Sequence, residues 1–163
     1  KEFDMKPGNL TEVVLNTLDS YRYHFVKKGF SVEEEIDQDI PDVMFDKNAV
    51  EGILINLFSN AIKFSANTKK MIIRLNNFSE YILLEVADKG IGIPTNELPN
   101  IFNRFYRVKS TTDFEARGSG LGLTIVKHAV ESHGWKIEVK STLALGTTFS
   151  IFIPNNENKE EQK

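Results

Sequence analysis

Asn56, Asn60 and Lys63 stand at spacings that place three polar side chains along one side of a helix. At about 100° per residue they fall within a wedge of roughly 60°. Gly52 and Ser59 border that wedge, and Ile53, Leu54, Ile55, Leu57, Phe58, Ala61, Ile62 and Phe64 fill the rest of the stretch. A helix apolar almost all round is expected to be buried. Burying an amide without hydrogen bonds costs roughly 1–3 kcal/mol. The column is therefore either a solvated polar stripe or the wall of a cavity for an anionic ligand or a hydrated cation. Asparagine carbonyls suit Mg²⁺ or its waters, and a lysine suits phosphate as a point charge.

Three further stretches could carry chemistry. In "RGSGLGL", Gly118, Gly120 and Gly122 open a helix, where backbone N–H groups can approach phosphate oxygens and the helix dipole favours negative charge. The spacing GxGxG, with no strand before it, is not the dinucleotide fingerprint, and no Lys-Ser/Thr pair follows to make a P-loop. Taken alone, such a turn is equally a flexible loop. In "DKGIGI", Asp88 leaves an apolar run and enters two glycines. A buried aspartate there can accept from an exocyclic amine, which adenine carries and guanine replaces by a carbonyl at the same position. Gly90 and Gly92 would leave room for a planar base. The competing reading is a turn aspartate bonded to its own backbone. In "FNRFYRVKS", Phe102 and Phe105 read as core anchors for the following loop, and Arg104, Arg107 or Lys109 could swing onto a terminal phosphate.

These stretches need elements to hold them. Asn9 caps a helix with Glu12 three residues later, and Val13, Val14, Leu18, Tyr21 and Phe25 recur at helical spacing until Gly29. "FSVEEEI" and "VMF" read as short strands around a turn at Pro41, and a long helix runs from about Asp46 to Phe64. "KKMIIRLNN" and "YILLEVA" make a hairpin. Pro94 suits the first turn of a short helix ending near Phe105. Residues 107–119 form a long polar loop, and a helix from about Leu121 to His133 stops at Gly134. "WKIEVKS" and "TTFSIFI" make the last hairpin, ended by Pro154. About four helices and six strands in this order fit one mixed sheet covered on one face by helices.

A chain of 163 residues makes one domain with a core. Its net charge of −3 provides no basic field for nucleic acid. It has no cysteine, hence no disulfide framework and no thiolate metal site. No apolar stretch approaches the roughly 20 residues that span a bilayer. The start at Lys1, without methionine, reads as a cut from a longer protein, and "NNENKEEQK" as a disordered tail or linker. The expected organisation is a linker over 1–8, the domain over 9–154 and the tail over 155–163.

Read in order, "NLFSNAIKFS", "DKGIGI", "FNRFYR", "GSGLGL" and "GTTF" resemble the ATP-binding catalytic domain of sensor histidine kinases, over roughly residues 4–154. The resemblance implies the Bergerat fold, an α/β two-layer sandwich shared with DNA gyrase, Hsp90 and MutL, with a mixed, mostly antiparallel sheet. It implies ATP and Mg²⁺ as cofactors. Asn56, Asn60 and Lys63 match the N-box, with Asn60 and Asn56 as metal ligands and Lys63 on phosphate. Asp88, Gly90 and Gly92 match the first glycine box, Asp88 on the adenine amine and Ile93 beside it. Phe102 and Phe105 match the F-box. Gly118, Gly120 and Gly122 match the second glycine box, with Leu121 and Leu123 also assigned to the nucleotide. Thr147 or Thr148 would reach adenine, through water. Asn56, Lys63 and Arg107 are the residues assigned to catalysis, with Lys109 on the nucleotide. Phe64 stands where a tyrosine is common and Trp135 where a glycine is frequent.

Such kinases phosphorylate a histidine that is followed by an acidic residue and then a proline. His24, His128 and His133 do not fit that pattern. The acceptor is therefore expected on a dimerising helical hairpin of the parent protein, and the isolated chain is expected to be a monomer that does not label itself. The further implied partner is a response regulator, and the implied location is the cytoplasmic side of a bacterial inner membrane that holds the parent. A gyrase-type ATPase would carry a water-activating glutamate where Asn56 stands, and an amide cannot take a proton from water. An anti-sigma-type serine kinase shares the fold but lacks the "FDMKP" lead-in. A nucleotide-binding pseudokinase would not need the complete glycine set.

Overall fold

The computed structural model describes residues 2–108 and 122–155. Helix α1 (Leu10–Lys27) starts where the Asn9 side chain accepts from the Glu12 amide at 3.1 Å, as its cap sequence dictates. Helix α2 (Lys47–Lys63) starts the same way, with Asp46 Oδ1 accepting from the Ala49 amide at 3.1 Å. Helix α3 covers Gly122–Ser132. The strands are β1 (Lys6–Gly8), β2 (Ser31–Ile36), β3 (Val43–Phe45), β4 (Lys70–Phe78), β5 (Tyr81–Asp88), β6 (Lys136–Thr142) and β7 (Gly146–Pro154).

Five strands form the main sheet in the order β2-β4-β5-β7-β6. Only the β2–β4 pair is parallel. Helix α2 packs between α1 and α3; α1 reaches β2, α2 reaches β5 and α3 reaches β6. Strand alternation decides which side chains they cover. Ile82, Leu84 and Val86 of β5 lie with Met71, Ile73 and Leu75 of β4 and with Phe149, Ile151 and Ile153 of β7 in one core. Leu54, Leu57 and Phe58 of α2 fill its centre, Phe58 meeting Phe25 of α1 edge to face at 5.7 Å. Truncating a ring so placed costs about 3–5 kcal/mol. The architecture is the expected α/β sandwich with a mixed, mostly antiparallel sheet.

Lys6–Gly8, at the end of the stretch expected as linker, pairs antiparallel with β3 in a separate two-stranded ladder, with Gly8 against the Phe45 ring. Two expectations need correction. The helix expected from Pro94 to Phe105 is only a 3₁₀ turn over Leu98–Asn100, followed by further i→i+3 turns. Pro99 is the reason: it has no N–H for the i→i−4 ladder, and its ring crowds the carbonyl four residues earlier. Helix α2 is not buried all round, since Ile55 is 42% exposed and Asn56 and Asn60 are half-buried.

Candidate functional site

Across the helix-covered face, the last row of the sheet changes from apolar to polar. One row inward stand Ile73, Val86, Phe149 and Val139, paired strand to strand. In the end row Met71 pairs with Asp88, Asp88 adjoins Thr147, and Thr147 pairs with Ser141. On β5, β7 and β6 the apolar pattern of the core thus gives way to polar side chains in this row, while Met71 of β4 remains core.

Asp88 is the centre of the row. Its Oδ1 accepts from the Gly90 amide at 2.9 Å and the Thr147 amide at 3.2 Å. No group among the described residues hydrogen-bonds Oδ2. Burial pushes the carboxyl up to about 6, with the two amide bonds acting against it. One oxygen makes the turn's own backbone bond, and the other keeps its acceptor capacity. Thr147 is buried beside Asp88. Thr148 points to the opposite face with Ala87 and Ile72, so of the two candidate threonines only Thr147 joins the group.

The glycines of "DKGIGI" have a different basis from the one expected. A Cβ on Gly90 would lie 2.1 Å from the Phe64 carbonyl oxygen, and one on Gly92, at φ +74°, would lie 2.3 Å from the Thr142 carbonyl oxygen. The missing side chains make room for protein backbone on those sides. The same approach lets the Ile91 amide donate to the Phe64 carbonyl at 2.9 Å, which fastens the Asp88 loop to the last turn of α2. Asn60 and Lys63 lie in that turn, Asn60 half-buried and Lys63 exposed. Ile93 packs on the core, and its amide donates to Ser141 Oγ at 2.7 Å.

Asn56 lies one turn earlier. Its Nδ2 donates to the Gly52 carbonyl at 2.8 Å, which fixes the amide orientation. Its Oδ1 faces the first residue of α3: a Cβ on Gly122 would stand 2.7 Å from it. Leu123 packs against the core from the same turn. Phe102 does anchor its segment, 6.4 Å from Phe149 and bonded through its carbonyl to Thr124 Oγ1 at 3.0 Å. Phe105 does not. It is 63% exposed, at φ +65°, with the Arg104 guanidinium 5.2 Å from its ring. Arg107 is exposed. Lys109, Gly118, Gly120 and Leu121 lie outside the described residues. Nothing in the sequence singles out Ser141, one serine at the end of a strand; its register opposite Thr147 brings it into the row.

The donor set fits a nucleotide with Mg²⁺. Asn56 Oδ1 is a hard oxygen that its own Nδ2 bond to Gly52 turns toward Gly122, and Mg²⁺ characteristically takes few protein oxygens and completes its shell with water and phosphate. Among the described residues no cluster of three or more His, Cys, Asp or Glu could hold a metal alone.

Two-layer sandwiches of this topology are found as the catalytic domains of histidine kinases. The solved catalytic domain of histidine kinase ThkA matches with a TM-score of 0.80 and 26% identity, covering 93% of this chain and 96% of that one. The chain belongs to the histidine kinase-, DNA gyrase B- and HSP90-like ATPase family, whose profile matches residues 45–157. The adaptive-response sensory kinase SasA of Prochlorococcus marinus is 31% identical over 153 residues, 93% of this chain and 40% of SasA. The autoinducer 2 sensor kinase/phosphatase LuxQ of Vibrio vulnificus is 41% identical over 159 residues, 91% of this chain and 18% of LuxQ. The chain thus spans less than half the length of these relatives. No helix among the described residues is long and apolar enough to cross a membrane.

Proposed function

We propose that this chain is the catalytic part of a sensor histidine kinase, binding Mg-ATP and passing its γ-phosphoryl group to a histidine on a dimerising helical hairpin of the parent protein. The observation that carries this reading is the half-engaged carboxylate of Asp88, a half-buried acceptor at the polar end of the core. It matches the exocyclic amine of adenine and would oppose the carbonyl of guanine. Asn60 and Asn56 would hold Mg²⁺, which neutralises phosphate charge when bound. Lys63, Arg107 and Lys109 supply further positive charge toward the phosphates. Positioning and charge neutralisation are the main contributions a protein makes to phosphoryl transfer. Asn56 stands with its amide bonded to Gly52 and cannot act as a base on water, which favours the kinase over a gyrase-type ATPase. The phosphorylated hairpin would then serve a response regulator. The parent would be a homodimer held in the bacterial inner membrane, with this domain a monomer in isolation on the ATP-containing cytoplasmic side.

The test uses this chain with and without the parent's helical hairpin as a separate polypeptide. The chain alone binds ATP but takes up no acid-labile phosphate, because donor and acceptor are no longer held at high effective concentration. Added hairpin becomes weakly labelled in acid-labile form, and Asn60→Ala abolishes that label. Brisk ATP hydrolysis by the chain alone, or acid-stable serine labelling of a partner, would overturn the assignment.

A further inference from the structure

Ser141 is the member of the polar row to which nucleotide binding by Asp88 assigns no role. Its hydroxyl oxygen lies 2.7 Å from the Ile93 amide, 2.7 Å from Thr147 Oγ1 and 3.1 Å from the Gly146 carbonyl oxygen. A hydroxyl has one proton to donate and two lone pairs to accept with. The Ile93 amide can only donate, so it occupies one lone pair. The Gly146 carbonyl can only accept, so it takes the Ser141 proton. One lone pair is left, and the Thr147 hydroxyl proton fills it. All three contacts become hydrogen bonds in this arrangement. If Ser141 gave its proton to Thr147 instead, two oxygens would face each other at 3.1 Å with no proton between them.

The Thr147 hydroxyl has thereby spent its proton inside the protein. Toward the space beside Asp88 it offers lone pairs only, as the ionised Asp88 does. An exocyclic amine has donors to match such a wall, whereas a carbonyl meets acceptors on every side. We propose that Ser141 is a positioning residue for base selectivity: by holding the Thr147 proton it makes the wall beside Asp88 an all-acceptor surface selective for 6-aminopurine over 6-oxopurine nucleotides. The same hydroxyl pins the backbone of the glycine loop through Ile93. This inference rests on the nucleotide-site reading of Asp88.

The experiment is calorimetric titration with ADP and with inosine diphosphate, which carries a carbonyl in place of the amine. The wild type prefers ADP. In Ser141→Ala the freed Thr147 proton can serve the carbonyl, and the ADP-to-IDP affinity ratio falls by about ten-fold, the scale of one neutral hydrogen bond. Ser141→Thr keeps the hydroxyl and keeps the ratio within about two-fold of the wild type. Ser141→Cys, with its weaker donor and acceptor, also lowers the ratio and gives a second reading if the alanine variant folds poorly. In a Thr147→Val background Ser141→Ala changes the ratio no further, since the proton it controls is absent. A parallel loss of affinity for both nucleotides, with the ratio unchanged in Ser141→Ala and Ser141→Cys, would show a merely structural serine and overturn the inference while leaving the Asp88 reading intact. Equal binding of ADP and IDP by the wild type would overturn both.

Discussion

The Thr147 amide donates to Asp88 Oδ1 across the β5–β7 ladder at 3.2 Å, beside the 2.9 Å bond from the Gly90 amide. One oxygen of a largely buried carboxylate is thus held by two backbone donors while burial still raises its pKa to about 6. Desolvation outweighs the two bonds, so the fold bears a cost for keeping this charge.

That cost has a sign and a window. The folded-state pKa lies above the unfolded value of 3.8. The stability of the protonated carboxyl is complete below about pH 4 and is lost as pH rises to about 6. Above that, the ionised group leaves the protein up to about 3 kcal/mol less stable than the unperturbed carboxyl would. Asp88→Asn removes the charge and retains an oxygen for the two amides. At pH 8 it should melt above the wild type, and at pH 4 the gap should close. Its affinity for ADP should fall, because the amide nitrogen turns a donor toward the amine. A variant that melts lower than the wild type at pH 8 would contradict this sign.

Ligand binding should carry the same titration. If the adenine amine meets ionised Asp88, wild-type affinity for ADP drops as pH falls below about 6, by up to about ten-fold per unit. The terminal phosphate of ADP also titrates near pH 6, and this contribution is common to Asp88→Asn. Calorimetric affinities at pH 5, 6, 7 and 8 should therefore show a steeper acid loss in the wild type than in the variant. Parallel profiles would remove Asp88 from contact with the base.

Much of this arrangement is legible in the sequence, because it is written in local rules. Asn9 and Asp46 cap helices through their own side chains, and the apolar spacing behind each cap names the buried face. The β4–β5 and β6–β7 hairpins follow from alternation, whereas the parallel β2–β4 pair and the β5–β7 pair do not, and Asp88 stands out as an acid where an apolar strand ends. What could not be read depends on partners distant in sequence. Gly90 is required by the Phe64 carbonyl and Gly92 by the Thr142 carbonyl, contacts that only the assembled sheet and α2 create. Ser141 gains its meaning from register with Thr147. Lys6–Gly8 is too short for alternation to show and becomes a strand by pairing with β3. The helix after Pro94 is a different error, since Pro99 was there to forbid it.

Two glycine substitutions separate backbone conformation from close approach. Gly134 has φ +75° and nothing within 4 Å of the place a methyl would occupy, so Gly134→Ala should cost only the left-handed penalty of about 1–2 kcal/mol. Gly90→Ala would drive a methyl into the Phe64 carbonyl at 2.1 Å and displace the end of α2 or the Asp88 loop. Its loss should exceed about 3 kcal/mol, with ADP binding impaired as well. Urea midpoints for the two variants give the comparison, and equal losses would show that the Gly90 contact relaxes freely.

His133 joins three parts of the chain far from the nucleotide wall. Its Nδ1 lies 2.7 Å from the Ala129 carbonyl and its Nε2 accepts from the Asp46 amide at 3.0 Å. Its ring stands 5.3 Å from Phe3 and 4.6 Å from Trp135. His133→Ala leaves a donor and an acceptor without this partner and opens space between the rings. Stability should fall by about 2–4 kcal/mol, while ADP affinity of the folded protein stays within about two-fold of the wild type, the interaction being remote. A marked loss of ADP affinity in a folded variant would mean that α3 transmits the change to Gly122.

Asn56 and Asn60 stand one turn apart on α2, but among the described residues only Asn56 finds a partner that fixes its amide, the Gly52 carbonyl at 2.8 Å. If both oxygens serve Mg²⁺, the wild type should bind ADP more tightly with Mg²⁺ than with a chelator. Asn60→Ala should lose that enhancement and keep the Mg²⁺-free affinity, because the half-buried side chain makes no hydrogen bond with the described residues that its removal would break. Asn60→Asp should shift the effect to lower Mg²⁺ concentration, since a carboxylate is the stronger hard-oxygen ligand. Asn56→Ala should lose the enhancement as well, and should also lower the melting temperature slightly by giving up its bond to Gly52. An undiminished Mg²⁺ effect in Asn60→Ala would leave that residue as an ordinary polar position on a half-buried helix.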